Sequence, residues 1–123
     1  MRRTTIAMIS AVLLTWLSST MSAHHSFAAQ FDATKPIRIT GRVTKVAWVN
    51  PHVWVYITHD SGDDAQDWAI EGGAPNALIR RGLRPEALPP GSSIVVEGYR
   101  AKSGNVINGR VLFLDDSRKI TLE

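Results

Sequence analysis

The segment IRITGRVTKVAWVNPHVWVYITHD, residues 37–60, predicts two β-strands joined by a tight turn. In residues 52–60, Val53, Val55 and Ile57 share one face of the predicted strand. Trp54, Tyr56 and Thr58 alternate with them on the other face. In residues 37–49 the apolar parity changes between Val43 and Val46, which indicates a bulge or a sharp bend. Asn50-Pro51 between the two runs is a turn signal. The segment therefore predicts a bent first strand followed by a second strand with one core-facing side.

The rest of the mature chain extends this β pattern. Strands are predicted over residues 66–71, 92–100 and 106–114, with a short one at 119–122, and a helix over 74–81. Three strands, a helix and two strands predict a mainly β fold, an OB-fold-like five-stranded barrel with one short helix between the third and fourth strands. Another small β-barrel or a sandwich is the alternative. The predicted domain spans 37–123, preceded by an N-terminal arm over 24–36.

The first residues predict export. Arg2 and Arg3 precede an apolar stretch at residues 6–17, and small or polar residues follow to Ala23. This order is typical of a secretory signal peptide, assigned to residues 1–23, and places the mature protein in the periplasm or outside the cell. The apolar stretch is shorter than the roughly 20 residues that span a bilayer. An uncleaved membrane anchor is the competing interpretation.

The composition narrows the function classes. Two of the 14 Lys and Arg residues and none of the 11 Asp and Glu residues lie in residues 1–23, so cleavage lowers the net charge from +3 to +1. A nucleic-acid binder needs a dense basic face, so a nucleic-acid partner is not expected, nor is a membrane partner after cleavage. The chain has no Cys, which excludes disulfides, thiolate metal sites and a Cys nucleophile.

Three histidines form the candidate metal site. Cleavage after Ala23 would make His24 the N-terminus, where its amine and ring can chelate one ion. Cleavage after Ser22 would instead give a terminus of Ala23-His24-His25, with a His at position three. The products of both cleavages offer nitrogen ligands to Cu(II). His52, which Pro51 precedes, is the candidate distant imidazole. The alternatives are a solvated terminus for the His pair and a structural loop contact for His52.

Other side chains have weaker claims. Glu71, at the end of the third predicted strand, is a possible second-shell partner that orients a ligand histidine, or else forms a salt bridge with Arg80 or Arg81. Trp54 and Tyr56 are possible ligand-facing aromatics, since aromatic side chains on such barrels stack on bases or sugar rings. Core filling is the alternative for the aromatic residues.

Several short motifs together resemble an uncharacterised bacterial family of exported small β-barrel domains, a domain of unknown function. The resemblance begins with HHSFAA at residues 24–29 and continues with NPH at residues 50–52. It extends over most of the mature chain through further matching positions, among them Trp48, Trp68, Glu71, Pro75-Asn76 and Gly98-Tyr99-Arg100-Ala101-Lys102. The resemblance implies an exported single domain and places the end of the signal before the His pair.

The sequence is compatible with three functions and favours the first two. The first is a periplasmic copper-binding protein that uses His24, His25 and His52, with copper as its possible cofactor. The second is a non-metal OB-type binding or accessory module for a protein, glycan or small ligand, with a periplasmic protein as one candidate partner. The third is a copper-dependent oxidative enzyme, but the sequence favours binding over catalysis because no Ser/His/Asp arrangement or phosphate loop is present.

Overall fold

The computed structural model describes residues 27–60, 62 and 64–123 of the chain. The predicted signal peptide, His24 and His25 lie outside the described residues. In the described part, alternating apolar residues form six strands: β1 (Phe31–Ala47), β2 (Trp54–Asp60), β3 (Ala65–Glu71), β4 (Ser93–Ala101), β5 (Val106–Phe113) and β6 (Lys119–Thr121). Helix α1 (Pro75–Arg80) and a 3-10 helix (Pro85–Ala87) lie between β3 and β4. The mainly β prediction is confirmed, the short strand predicted at 119–122 is β6, and the 3-10 helix is an addition.

Strand β1 bends where the change of apolar parity predicts. Its pairing with β2 shifts register between Val43 and Lys45, so Thr44 is the extra residue of a bulge. Val43 is 1 % exposed, whereas Thr44 and Lys45 both lie on the surface. The strand starts at Phe31, six residues before the predicted start at residue 37, because Phe31 pairs with Ala101 of β4 and is buried.

The sheet closes on itself into a ring. Neighbouring strands follow the order β3-β2-β1-β4-β5-β6, and all of these pairs are antiparallel. A parallel pairing of β3 with β5 completes the ring through Ala69 with Val106, Ile70 with Ile107 and Glu71 with Asn108. This last pairing brings the end of β3 beside the first half of β5, and it therefore sets which side chains surround Glu71.

The core fills the interior of the ring. Its members are apolar residues from every strand and from the β3–β4 connection: Ile39, Val43, Val53, Val55, Ile57, Trp68, Ile70, Leu78, Leu83, Leu88, Ile94, Val96, Ile107, Leu112, Leu114, Ile120 and Leu122. Helix α1 contributes Leu78, which is fully buried, and begins with Pro75 at its first turn. Proline suits that position because its missing N–H is not needed there.

The chain divides by its contacts into two units, Met1–Gln30 and Phe31–Glu123. The strands and both short helices belong to the second unit. Within the residues that the structure describes, no helix is long and apolar enough to cross a membrane.

Truncation of a core side chain on β2 tests the assigned faces. Val53, Val55 and Ile57 point inward as predicted, and Ile57 is fully buried. Ile57→Ala is expected to lower the free energy of unfolding by roughly 2–4 kcal/mol, because it removes buried methylene groups and leaves a cavity. Urea denaturation measures the change, with Val49→Ala as the control since Val49 is 51 % exposed. Equal stability of the two variants would show that the inward face is misassigned.

Candidate functional site

His52 precedes β2 by two residues, and both backbone groups of the next residue, Val53, are hydrogen-bonded. The N–H of Val53 donates to the carbonyl of Gly73 at 3.0 Å, and the N–H of Gly72 donates to the carbonyl of Val53 at 2.8 Å. Gly73 in turn donates to the carbonyl of Leu122, and a Cβ at Gly73 would lie 2.7 Å from that oxygen. The absent side chain of Gly73 therefore allows the C-terminal segment to approach and fix the end of β3. The Asn50–Pro51 peptide bond before His52 is cis.

One nitrogen of the His52 ring is hydrogen-bonded to a backbone carbonyl, and the other lies near a carboxylate. Its Nδ1 lies 3.0 Å from the carbonyl oxygen of Gly72, and its Nε2 lies 3.6 Å from Oε1 of Glu71. A carbonyl oxygen only accepts, so Nδ1 must carry the hydrogen of that bond. In the neutral ring, the lone pair is then on Nε2 and points toward a negative carboxylate. A cation placed between the two groups would be attracted by both of them.

The His52–Glu71 pair, defined by these two side chains, fits two ligands of one metal ion. Metal–nitrogen and metal–oxygen bonds of about 2.0–2.2 Å, at tetrahedral or square angles, place two donor atoms about 3–3.5 Å apart. The observed separation needs only a small side-chain rotation to match. The His52 side chain is 48 % exposed and that of Glu71 is 14 % exposed, so an ion can enter from solvent. The Nδ1 hydrogen bond to a carbonyl is the kind of contact that orients ligand histidines.

The pair alone is an incomplete site. In the described part of the chain, no group of three or more His, Asp or Glu side chains is placed to hold a metal ion. His59 does not join it, because it lies at the far end of β2 with its Nδ1 2.6 Å from the carbonyl of Thr40. Glu71 contacts His52 rather than Arg80 or Arg81, which removes the salt bridge considered from the sequence.

Trp54 and Tyr56 lie on the outer face of the ring, next to the His52–Glu71 pair. Both are half-buried, and they alternate with the buried Val53, Val55 and Ile57. Trp54 pairs with Glu71, and Tyr56 pairs with Ala69. Core filling applies instead to Trp68, which is 5 % exposed, and in part to Trp48, which packs against the core.

Shifted pKa values in the described residues occur away from this pair. Side-chain and backbone hydrogen bonds from Thr34 lower the pKa of the Asp32 carboxyl, with a smaller contribution from Lys35. Hydrogen bonds from the backbone and side chain of Arg118 lower the pKa of Asp116 in the β5–β6 turn. Each carboxyl accepts these bonds from a residue two positions later in the chain, so the shifts reflect local geometry rather than a functional site.

Two residues beside the His52–Glu71 pair carry no signal in the sequence. The carbonyl of Gly72 fixes the His52 ring, and Asn108 pairs with Glu71 only because β3 meets β5 in parallel. Gly72 has no side chain, so the sequence does not mark it as part of a site. Asn108 lies far from Glu71 in the chain, so only knowledge of the closing pair would have placed it there.

The family assignment follows from a match over most of the chain. The model of a family of unknown function, DUF6152, matches residues 12–110. The chain belongs to the DUF6152 family. The matched region of this family includes His24, His25, His52 and Glu71 and ends within β5. Among curated proteins, none matches the chain.

Proposed function

We propose that the protein is an exported small binding protein that takes up one Cu(II) ion through His52, with Glu71 beside it and His24 or His25 as further nitrogen ligands. The observation that supports this is the His52–Glu71 pair. Its Nδ1 is fixed by a carbonyl, and its Nε2 lone pair faces a carboxylate across a gap that suits a cation. The role is binding, as a carrier, a buffer or an accessory factor.

Copper is the metal that this ligand set favours. The proposed donors are imidazole nitrogens, a terminal amine and a carboxylate oxygen, and the chain offers no thiolate. Among divalent first-row ions, Cu(II) binds such N/O sites most tightly. The pattern of residues 1–23 supports export to the periplasm or beyond, and cleavage there would create the terminal amine.

The fold proposal that accompanies this function is an OB-type barrel. Its supports are the closing parallel pair of β3 with β5 and the position of α1 between β3 and β4. In this arrangement the β1–β2 turn that precedes His52 lies at the rim of the barrel, where OB domains carry ligand-contacting loops.

Intact mass measurement of the secreted protein, with and without copper, tests the proposal. We expect the full gene to yield a product that begins at His24 or Ala23 and gains the mass of one copper ion. Uptake should be stronger at about pH 7.5 than at about pH 5.5, because protons compete for imidazole and amine nitrogens. Zn(II) and Ni(II) at equal concentration serve as comparison ions. A product that retains Met1 would overturn the export and terminal-ligand proposals, and a processed product without copper would overturn the metal function.

A second function is a non-metal binding module, favoured by the outward position of Trp54 and Tyr56. These rings lie on the face of β2 that the core does not use. A ligand on this face would be a protein segment, a glycan or a small molecule. The second function would be favoured over the first if the protein does not bind copper and a ligand instead covers the face that carries Trp54 and Tyr56.

A further inference from the structure

A groove lies on the outer surface where the β1 bulge meets the β2–β3 hairpin. It has a volume of about 440 Å³ and is lined mainly by Thr44, Lys45, Tyr56, Asp67, Ala69 and Asn105, with contributions from Ile57 and Trp68. This volume is in the range of about 300–1,000 Å³ that is usual for small-ligand sites. The groove does not include His52 or Glu71, so it is separate from the proposed metal site.

The shape of this groove follows from three local features. The bulge at Thr44 lies beside the groove, and the hydroxyl of Thr44 donates to the carbonyl of Tyr56 at 3.2 Å. Ala69 pairs with Tyr56, so only a methyl group stands opposite the phenol ring. The N–H of Ala69 donates to the carbonyl of Asn105, which brings the β4–β5 turn to the end of the groove. A larger residue at position 69 would fill the space.

The charges that line the groove balance. Lys45 is the one cation and Asp67 the one anion among the lining residues. The Lys45 Nζ lies 5.7 Å from the Tyr56 ring centroid, and Asp67 Oδ1 accepts a 2.7 Å hydrogen bond from the hydroxyl of Thr58. A polyanion such as a nucleic acid requires a surplus of cations, which this lining does not supply.

We infer that this groove binds a neutral saccharide. The C–H face of a sugar ring carries a partial positive charge and suits the negative face of an aromatic ring, here Tyr56, where it would replace the Lys45 ammonium that lies over the ring at 5.7 Å from its centroid. The sugar hydroxyls both donate and accept, which matches a lining that offers a carboxylate, an amide, a hydroxyl and an ammonium group together. A balanced charge favours an uncharged ligand of this kind. The inference rests on the second proposed function, the non-metal binding module, and does not depend on copper binding.

Calorimetric titration of the full-gene product, kept metal-free with a chelator, tests the saccharide site. The probes are neutral oligosaccharides of glucose, xylose and N-acetylglucosamine, with oligogalacturonate and a single-stranded oligonucleotide as anionic comparators. We expect at least one neutral series to bind and both anionic probes to fail. Tyr56→Ala should weaken binding about tenfold or more through loss of stacking. Ala69→Leu should abolish binding by filling the groove.

Tyr99→Ala is the matched control, because Tyr99 is also half-buried on a strand but lines a different surface groove with Arg38 and Arg110. It should bind the saccharide as the unmodified protein does. Thermal unfolding confirms that each variant is folded, and the indole resonance of Trp68, which lines the groove, should move on binding. The inference is overturned if no neutral probe binds, if only anionic probes bind, or if Tyr56→Ala and Tyr99→Ala bind equally. Because copper is absent throughout, none of these results bears on the metal proposal.

Discussion

Gly98→Ala is expected to destabilise the domain by roughly 3 kcal/mol, the largest effect anticipated for a single methyl group in this fold. Gly98 is buried on β4, where its pairing with β5 shifts register. An added Cβ would overlap the carbonyl oxygen of Asn108 and lie 2.8 Å from Cγ2 of Ile107. Because the main obstacle is backbone, the two strands must separate to make room. Urea denaturation of the variant and the unmodified protein measures the difference.

Gly72→Ala is the matched control for this stability measurement. Gly72 is also buried, but the atoms nearest to its added Cβ would be Val53 O at 3.5 Å and Leu78 Cδ1 at 3.6 Å, which are ordinary contacts. Its free energy of unfolding should stay within about 1 kcal/mol of the unmodified protein. If Gly98→Ala proves as stable as Gly72→Ala, the close approach of β4 and β5 is wrong.

The second large effect concerns the terminal ligands. One extra residue ahead of His24 should weaken copper binding by about a hundredfold or more. Loss of a residue that only orients a metal ligand lowers metal affinity by about 10–100-fold. The extension should have a larger effect because it displaces the terminal amine, which is itself a proposed ligand. The measurement is a competition titration against a chelator of known copper affinity, with each N-terminus verified by mass.

The control for the extension is an added residue at the C-terminus, after Glu123, which leaves the amine and His24 in place. It should bind copper as the unmodified product does. If the N-terminally extended and native proteins bind equally, His24 and its amine are not ligands, and His25, His52 and Glu71 must then account for any copper bound.

Local patterns were sufficient to predict most of the strands. The alternation of Val53, Val55 and Ile57 fixes the inward face of β2, and the parity change after Val43 locates the bulge. The early start of β1 was missed because its first residues do not alternate, and Phe31 is held by its pairing with Ala101. Such a pairing links distant parts of the chain and leaves no periodic signal.

The candidate site was predicted only in part. His52 stands out as a histidine after Asn50-Pro51, but its Gly72 contact and the approach of Glu71 depend on the hydrogen bonds around Val53. The groove beside Tyr56 was not predicted. The sequence shows the aromatic ring, but only the pairing register of β2 with β3 places the small side chain of Ala69 opposite it. His24 and His25 lie outside the described residues, so their role stays a prediction.

A parallel copper titration of the processed protein, His52→Ala and His59→Ala tests whether His52 is a copper ligand. His59 is the matched control, because it also has its Nδ1 near a backbone carbonyl but lies at the other end of β2 from Glu71. Pulsed electron paramagnetic resonance on the loaded samples counts the imidazoles bound to Cu(II). We expect His52→Ala to bind copper more weakly and to lose one imidazole signal, while His59→Ala retains both affinity and signal. Equal affinity and an equal imidazole count in all three proteins would show that His52 is not a ligand.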